Sequence, residues 1–318
     1  MSGNRPRIVI TGGLGYLGQR IAHFFSLLGA DVVITTRGNK KLPKELSRCT
    51  LHSLDLSDYN QVLRLLKPND VVIHLAAPNE IEAGNNVQLA FDGTVIPTYR
   101  LLKAGEEKGI KQLIYFSTFH VYGKTSEKTI TEETLPAPNH PYSISHKAAE
   151  DFCLSAQGKN NITTTVIRLS NAFGAPVSTE ITRWTLLVND LCRQAAADKK
   201  IVLNSYGNQL RDFVTIDRVC NALDHMIQHA AECAGVFHVG GETLMSIYEM
   251  AQMVQESYLH LKGNQIEISR GEYGRDHVPS PFQYSNAKLR STGFTYPNDV
   301  RKSVEETLRF CIDAFSND

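Results

Sequence analysis

The sequence predicts a doubly wound α/β fold: a parallel sheet covered by helices on both faces, with a smaller C-terminal lobe closing over one edge. Three observations carry this. Several short segments are apolar along their whole length, as strands buried on both faces must be. They alternate with stretches of helical spacing from the N-terminus onward, the pattern of repeated βα units. The first strand also runs directly into a glycine cluster that opens a helix, "TGGLGYLG" at residues 11–18, the Rossmann-type turn.

Taken in order, "RIVITGG" is a β-branched strand ending in glycines, and "YLGQRIAHFFSLLG" takes up helical spacing. "DVVITT" is the second strand, followed by a loop, a short strand near "CTLHSLDL" and a helix from Asp58 to about Lys67. "DVVIHLAA" is a further strand, a long helix is expected from about Asn86 to Lys108, and "QLIYFST" returns to the sheet. After "TTTVIRLSNAFG" the alternation loosens. The dinucleotide-binding domain is therefore expected over residues 1–172, with a return around residues 213–240 that includes "GVFHVGG", and the substrate lobe over 173–212 and 241–318.

A chain of 318 residues suffices for two lobes sharing a core, and 42% hydrophobic content is that of a globular protein. Lysine plus arginine equals aspartate plus glutamate at 33 each, which argues against a nucleic-acid partner or a membrane-surface patch. Six scattered cysteines without a CxxC pair read as reduced thiols of a cytoplasmic protein, with no metal site. The first strand starts too early for a signal peptide. No apolar run reaches the roughly 18–20 residues of a membrane span.

Gly12, Gly15 and Gly18 let the backbone approach a pyrophosphate, and the N–H groups of the helix start offer it hydrogen bonds. The end of the second strand selects the dinucleotide. NAD sites commonly place a carboxylate there for the ribose 2′-hydroxyl. This chain has "ITTRGNKK", in which Thr35 and Thr36 precede Arg37 and no acid is present. Arg37 would grip a 2′-phosphate through charge-assisted bonds of about 1.5–3 kcal/mol, which favours NADP over NAD. The alternative is a solvated basic loop of Arg37, Lys40 and Lys41. Asp55 either contacts adenine or caps a helix start.

With these pieces placed, the chain resembles the extended short-chain dehydrogenase/reductase family, in its nucleotide-sugar epimerase, dehydratase and reductase branch. The resemblance runs from Arg7 to about Arg309 and rests on the shared order of "TGGLGYLG", "DVVIHLAA", "YFSTFHVYG", "PYSISHKAAE", "IRLSNAFG", "RDFVTIDRV" and "FHVGGETLMSIYEMAQ". It implies a catalytic tyrosine at Tyr142 and a hydroxyl that polarises the reacting oxygen at Thr118, with Ser117 as its neighbouring alternative. It implies cofactor contacts from Tyr16, Leu17, Thr36, Leu56, Leu75, Ala76 and Ala77 beside those already named. Substrate contacts fall on Phe119, His120, Asn171, Arg211 and Arg275. Asn171 otherwise only ends a strand, and Arg275 is otherwise a surface loop residue. Relatives often dimerise through the long helix and the tyrosine helix, here with Val87, Leu89, Leu101, Leu102, Ala148, Phe152 and Leu154.

Three positions depart from the family pattern. Phe119 and His120 replace the acidic pair of branch members that eliminate water. Ala90 replaces an asparagine of the long helix. In "PYSISHKAAE" the lysine expected four residues after Tyr142 is His146, and Lys147 comes one step late. Positions i and i+4 share a helix face, whereas i+5 points about 100° away. A free tyrosine titrates near pH 10, so an acid/base at neutral pH needs about three units, roughly 4 kcal/mol. A lysine supplies fixed charge toward this; a neutral imidazole supplies only a hydrogen bond. The reading is an NADP-dependent keto-sugar reductase acting on a nucleotide sugar, with NAD possible. The alternatives are an epimerase that retains its cofactor and, third, a non-catalytic nucleotide-binding protein.

Overall fold

The computed structural model describes residues 5–158, 161–181, 183–276 and 279–316. Strand β1 (Ile8–Thr11) leads through the glycine turn into helix α1 (Tyr16–Leu27). β2 (Val32–Thr36), β3 (Thr50–Ser53), α2 (Tyr59–Leu65) and β4 (Val71–His74) follow. Next come α3 (Glu80–Asn85), α4 (Val87–Ala90), α5 (Ile96–Lys108), β5 (Gln112–Thr118), β6 (Thr129–Ile130), α6 (Pro141–Ala156), β7 (Thr163–Leu169) and β8 (Asn171–Phe173). The chain continues through α7 (Leu187–Ala197), β9 (Lys200–Leu203), β10 (Leu210–Thr215), α8 (Ile216–Gln228) and β11 (Gly235–Val239). It ends with β12 (Leu244–Ser246), α9 (Ile247–Lys262), β13 (Glu267–Arg270), β14 (Gln283–Tyr284), α10 (Ala287–Ser291) and α11 (Val300–Phe315).

The main sheet has seven strands in the order β11-β7-β5-β4-β1-β2-β3, all parallel. Except in the edge strand β3, alternate residues of the strands feed two cores. Ile8, Ile10 and Ile34 pack with Phe25 of α1 and Leu223 of α8, and Val9, Val33 and Val72 pack with Val62, Leu101 and Ala149 on the other face. Whole-strand apolarity follows from this two-sided burial. The strand order reverses between β1 and β4, and in open α/β sheets a crevice forms at such a point.

A separate core joins α7, α9 and α11 through Leu191, Met250, Val254 and Leu308, with Phe173 and Phe213 from β8 and β10. Here β10 pairs with β8 in parallel and with β12 antiparallel, while β13 runs beside β9. Among the described residues, no helix is long and apolar enough to cross a membrane.

The long helical stretch expected from about Asn86 to Lys108 is present over residues 87–108, with one change of winding inside it. Between α4 and α5 the chain makes a π-helical turn at Phe91–Val95. Pro97, in the first turn of α5, has no N–H for the Gly93 carbonyl, and its ring crowds that carbonyl, so the helix widens. Gly93 packs against Pro78 so closely that a Cβ would lie 2.6 Å from its Cγ.

Of the apolar residues offered for pairing two copies, some face the chain's own sheet. Leu101 and Leu102 are 0% and 2% exposed, because α5 must cover the sheet. Exposed apolar residues of this side include Val87, Phe91, Ile96, Tyr99, Ile144 and Phe152, with Tyr99 and Phe152 in edge-to-face contact at 5.2 Å.

Candidate active site

A groove of about 700 Å³ opens over the C-terminal ends of the strands. Its floor is the glycine turn. Gly12 has φ +68°, and a Cβ there would lie 2.9 Å from the Ala76 nitrogen. At Gly18 a Cβ would lie 2.4 Å from the Gly12 carbonyl, so only glycine lets α1 start this close to β1. No side chain caps α1, which leaves its first N–H groups to an anionic ligand. Tyr16 also lines the groove, but its hydroxyl is committed elsewhere: it donates to the Gly174 carbonyl at 2.6 Å and accepts from the Gly174 N–H at 2.8 Å. It thereby ties the glycine turn to the segment after β8.

Beyond β2 the groove is lined by Thr36, Arg37 and Lys40, with Asp55 and Leu56 opposite and Leu17, Leu75, Ala76 and Ala77 between. Asp55 accepts from the Ser57 N–H at 2.8 Å. Hydrogen bonds from Ser57 hold its carboxyl below the usual range, with the Arg37 charge adding to the effect. Asp58, rather than Asp55, caps α2.

At the other end, Thr118 closes β5 and Tyr142 lies in the first turn of α6. Pro141 suits that turn, where no N–H partner is needed, and His140 caps it through the Tyr142 N–H. Tyr142, His146 and Glu150 are spaced i, i+4, i+8 and share one face of the helix. Burial and the nearby Glu80 charge push the Tyr142 phenol up to about 12, while a hydrogen bond from Thr118 and the Arg183 charge pull it the other way. The imidazole of His146 contacts the Tyr142 ring, centroids 4.5 Å apart, and lines the groove. Burial pushes it down to about 4, so it is neutral near pH 7. Its Nδ1 lies 2.7 Å from the Tyr115 hydroxyl, and its buried Nε2 has no hydrogen-bond partner. Lys147 instead pairs with Asp151 at 2.5 Å and is absent from the groove lining.

Glu150 anchors this helix. Arg168 of β7 meets it with two bonds, Nε to Oε1 at 3.0 Å and one guanidinium nitrogen to Oε2 at 2.8 Å. Ser117, next to Thr118, donates to Oε1 at 2.5 Å. Arg168 also donates to the Tyr122 hydroxyl at 2.7 Å, and Tyr122 lies 2.5 Å from His238 Nε2. Burial holds His238 neutral, at about 3. This network locks α6 to β5 and β7, and with them the distance between Tyr142 and Thr118.

On the remaining wall stand Phe119, His120, Asn171 and Arg211. Asn171 opens β8 and donates to the Asp212 carbonyl at 2.9 Å. Arg211 is bonded only weakly to Gln209, at 3.3 Å, leaving most of its donors for a ligand. Two residues missed by sequence reasoning face this space: Glu80 of α3 and Arg183 before α7, an ion pair at 3.2 Å across the groove. No motif marks either one. Arg275 does not line this groove: it is exposed, pairs with Glu272 at 3.0 Å and lies in a separate depression beside Tyr248. Backbone bonds from Gly271 to Leu203 and from Tyr206 to Tyr273 tie its loop to the end of β9 rather than to the groove.

Comparison with known proteins agrees with this geometry. Residues 8–240 match the NAD dependent epimerase/dehydratase family. A UDP-glucose 4-epimerase of Mycoplasma genitalium is 30% identical over 245 residues, covering 70% of this chain and 71% of that protein. MoeE5, solved in complex with UDP-glucose and NAD, superposes with a TM-score of 0.81 at 22% identity, over 98% of this chain and 100% of that one. RMD from Pseudomonas aeruginosa, solved with NADPH, superposes with a TM-score of 0.78 at 23% identity, over 98% and 100%.

Proposed function

Because this chain belongs to the NAD dependent epimerase/dehydratase family, we propose that it is a nucleotide-sugar oxidoreductase whose main reaction is the reduction of a keto-sugar by NADPH. The bare glycine turn, the uncapped start of α1 and the unpartnered Nε2 of His146 support a nicotinamide dinucleotide lying along the groove. When bound, the nicotinamide supplies the hydride. The Thr118 hydroxyl polarises the sugar carbonyl, Tyr142 gives its proton to the oxygen, and His146 offers a hydrogen bond to the nicotinamide ribose. Arg211 and Asn171 hold the diphosphate and Phe119 and His120 border the sugar; Arg275 reaches the substrate only if its loop moves.

The observation that carries the reductive reading is Arg37, which lines the groove at the end of β2 where no carboxylate stands, because net reduction of a keto-sugar draws on exchangeable NADPH. A protonated Tyr142 phenol suits the negative charge that develops on a carbonyl oxygen. A second reading, an epimerase that retains its cofactor, is favoured by the name of the Mycoplasma genitalium relative. Purified protein is given NADPH and a panel of nucleotide-linked keto-sugars. Stoichiometric NADPH oxidation is expected. Interconversion of two nucleotide sugars on tightly held cofactor, with no net NADPH consumption, would establish the epimerase instead.

Arg37 supports NADP over NAD. Arg37→Ala is expected to weaken NADP binding by about 1.5–3 kcal/mol and to leave NAD nearly unchanged. Titration calorimetry with both cofactors measures this, and equal loss would assign Arg37 another role. The exposed apolar side of α4, α5 and α6 supports a homodimer. Light scattering at micromolar concentration is expected to give twice the chain mass; a monomer there removes the assignment. Free, buried thiols suit the reducing cytoplasm.

A further inference from the structure

Tyr115 lies on β5, three residues before Thr118, and is 1% exposed. Among the described residues its hydroxyl has one hydrogen-bond partner, His146 Nδ1 at 2.7 Å. A buried phenol that fails to donate its proton costs about 1–3 kcal/mol. Tyr115 therefore donates, and Nδ1 accepts. A neutral imidazole whose Nδ1 accepts must carry its proton on Nε2. That atom is buried and unpaired, on a ring that lines the groove against Tyr142. The Phe116 backbone carbonyl also acts on the ring as an acceptor, and because Nε2 has no partner it competes with the Tyr115 hydroxyl for Nδ1 and favours the opposite tautomer.

We propose that Tyr115 is a positioning residue that fixes His146 in the Nε2–H tautomer, so that the ring presents a donor and not an acceptor to the nicotinamide end of the groove. What the donor meets there, a ribose hydroxyl, rests on the oxidoreductase reading above; the tautomer itself does not. In this account the two residues together replace one feature of a lysine, a fixed N–H aimed at the ribose, without its charge. The contact joins α6 to β5 beside Thr118, so it also sets the height of the imidazole relative to the Tyr142 ring.

The test reads the tautomer directly. Protein labelled with ¹⁵N-histidine is studied by long-range ¹H–¹⁵N spectroscopy near pH 7, with the His146 signals assigned by their loss in His146→Gln. Wild-type protein is expected to hold the proton on Nε2. In Tyr115→Phe the ring is expected to populate both tautomers, and the affinity for the nicotinamide cofactor to fall about two- to tenfold. A wild-type His146 protonated on Nδ1 overturns the proposal, and this arm needs no variant to fold. A tautomer unaltered in Tyr115→Phe overturns it too, whatever the protein does to keto-sugars. If the tautomer responds as stated and no keto-sugar is reduced, the positioning role stands and the proposed reaction is what fails.

Discussion

Tyr142→Phe is expected to lower kcat by about 10²–10⁴-fold, the usual contribution of a positioned proton donor, while cofactor affinity stays nearly intact. The substitution removes one oxygen and keeps the ring that packs on His146 at 4.5 Å. Binding through the glycine turn and the start of α1 is untouched. The pH profile adds a second check. Burial raises the phenol to about 12, so its acid form persists at every pH below that value. Reduction that needs the protonated phenol should therefore show no tyrosine limb from neutral pH upward and should decline only as pH approaches 12. The reverse oxidation, which needs the phenolate, should instead rise with pH throughout. In His146→Lys a fixed positive charge one helical turn away favours the phenolate and should move both limbs to lower pH. Steady-state rates in both directions from pH 6 to the alkaline limit of stability measure this. An unchanged kcat in Tyr142→Phe places the chemistry elsewhere.

Arg168→Met is expected to destabilise the fold by about 3–5 kcal/mol, because it leaves the Glu150 carboxylate buried with Ser117 as its only other partner among the described residues. The side chains of Arg168 and Glu150 are 4% and 0% exposed, so water cannot replace the lost bonds. Pairing it with Glu150→Leu removes the orphaned charge and should recover much of the loss, since a buried ion pair and a well-packed apolar pair often differ little. Chemical denaturation of the two single variants and the double variant gives the coupling. A loss under about 1 kcal/mol for Arg168→Met would mean that solvent reaches Glu150. Activity should fall with stability here, because Glu150 lies on the same face of α6 as Tyr142 and His146 and holds that face to β5 and β7.

Much of the architecture was legible because its causes are local. A strand buried on two faces must be apolar throughout, and β1, β2, β4 and β5 show this in their own residues. Gly12 and Gly18 are marked because a Cβ there would meet the backbone of Ala76 or of Gly12 within 3 Å. The π-helical turn within the long helix was signalled by Pro97, although a pattern of helical spacing passes over a single residue. The predicted residues of the glycine turn, the ends of β2 and β4, and the tyrosine helix are gathered around one groove.

What the sequence by itself determined was the order of βα units, the glycine turn between β1 and α1, and the family. Only the tertiary structure decided which polar side chains meet. Glu80 and Arg183 are 103 residues apart, Tyr115 and His146 31 apart, and Arg168 and Glu150 18 apart. Each is a common residue type in an unremarkable local context, and only the packing of α3, α6, β5 and β7 brings the partners within hydrogen-bond reach. Arg275 fails to reach the groove for the same reason: the pairing of β9 with β13 carries its loop elsewhere. Spacing along one helix or strand repeats with a fixed period and can be read from the chain, whereas contacts between elements depend on how the elements are stacked.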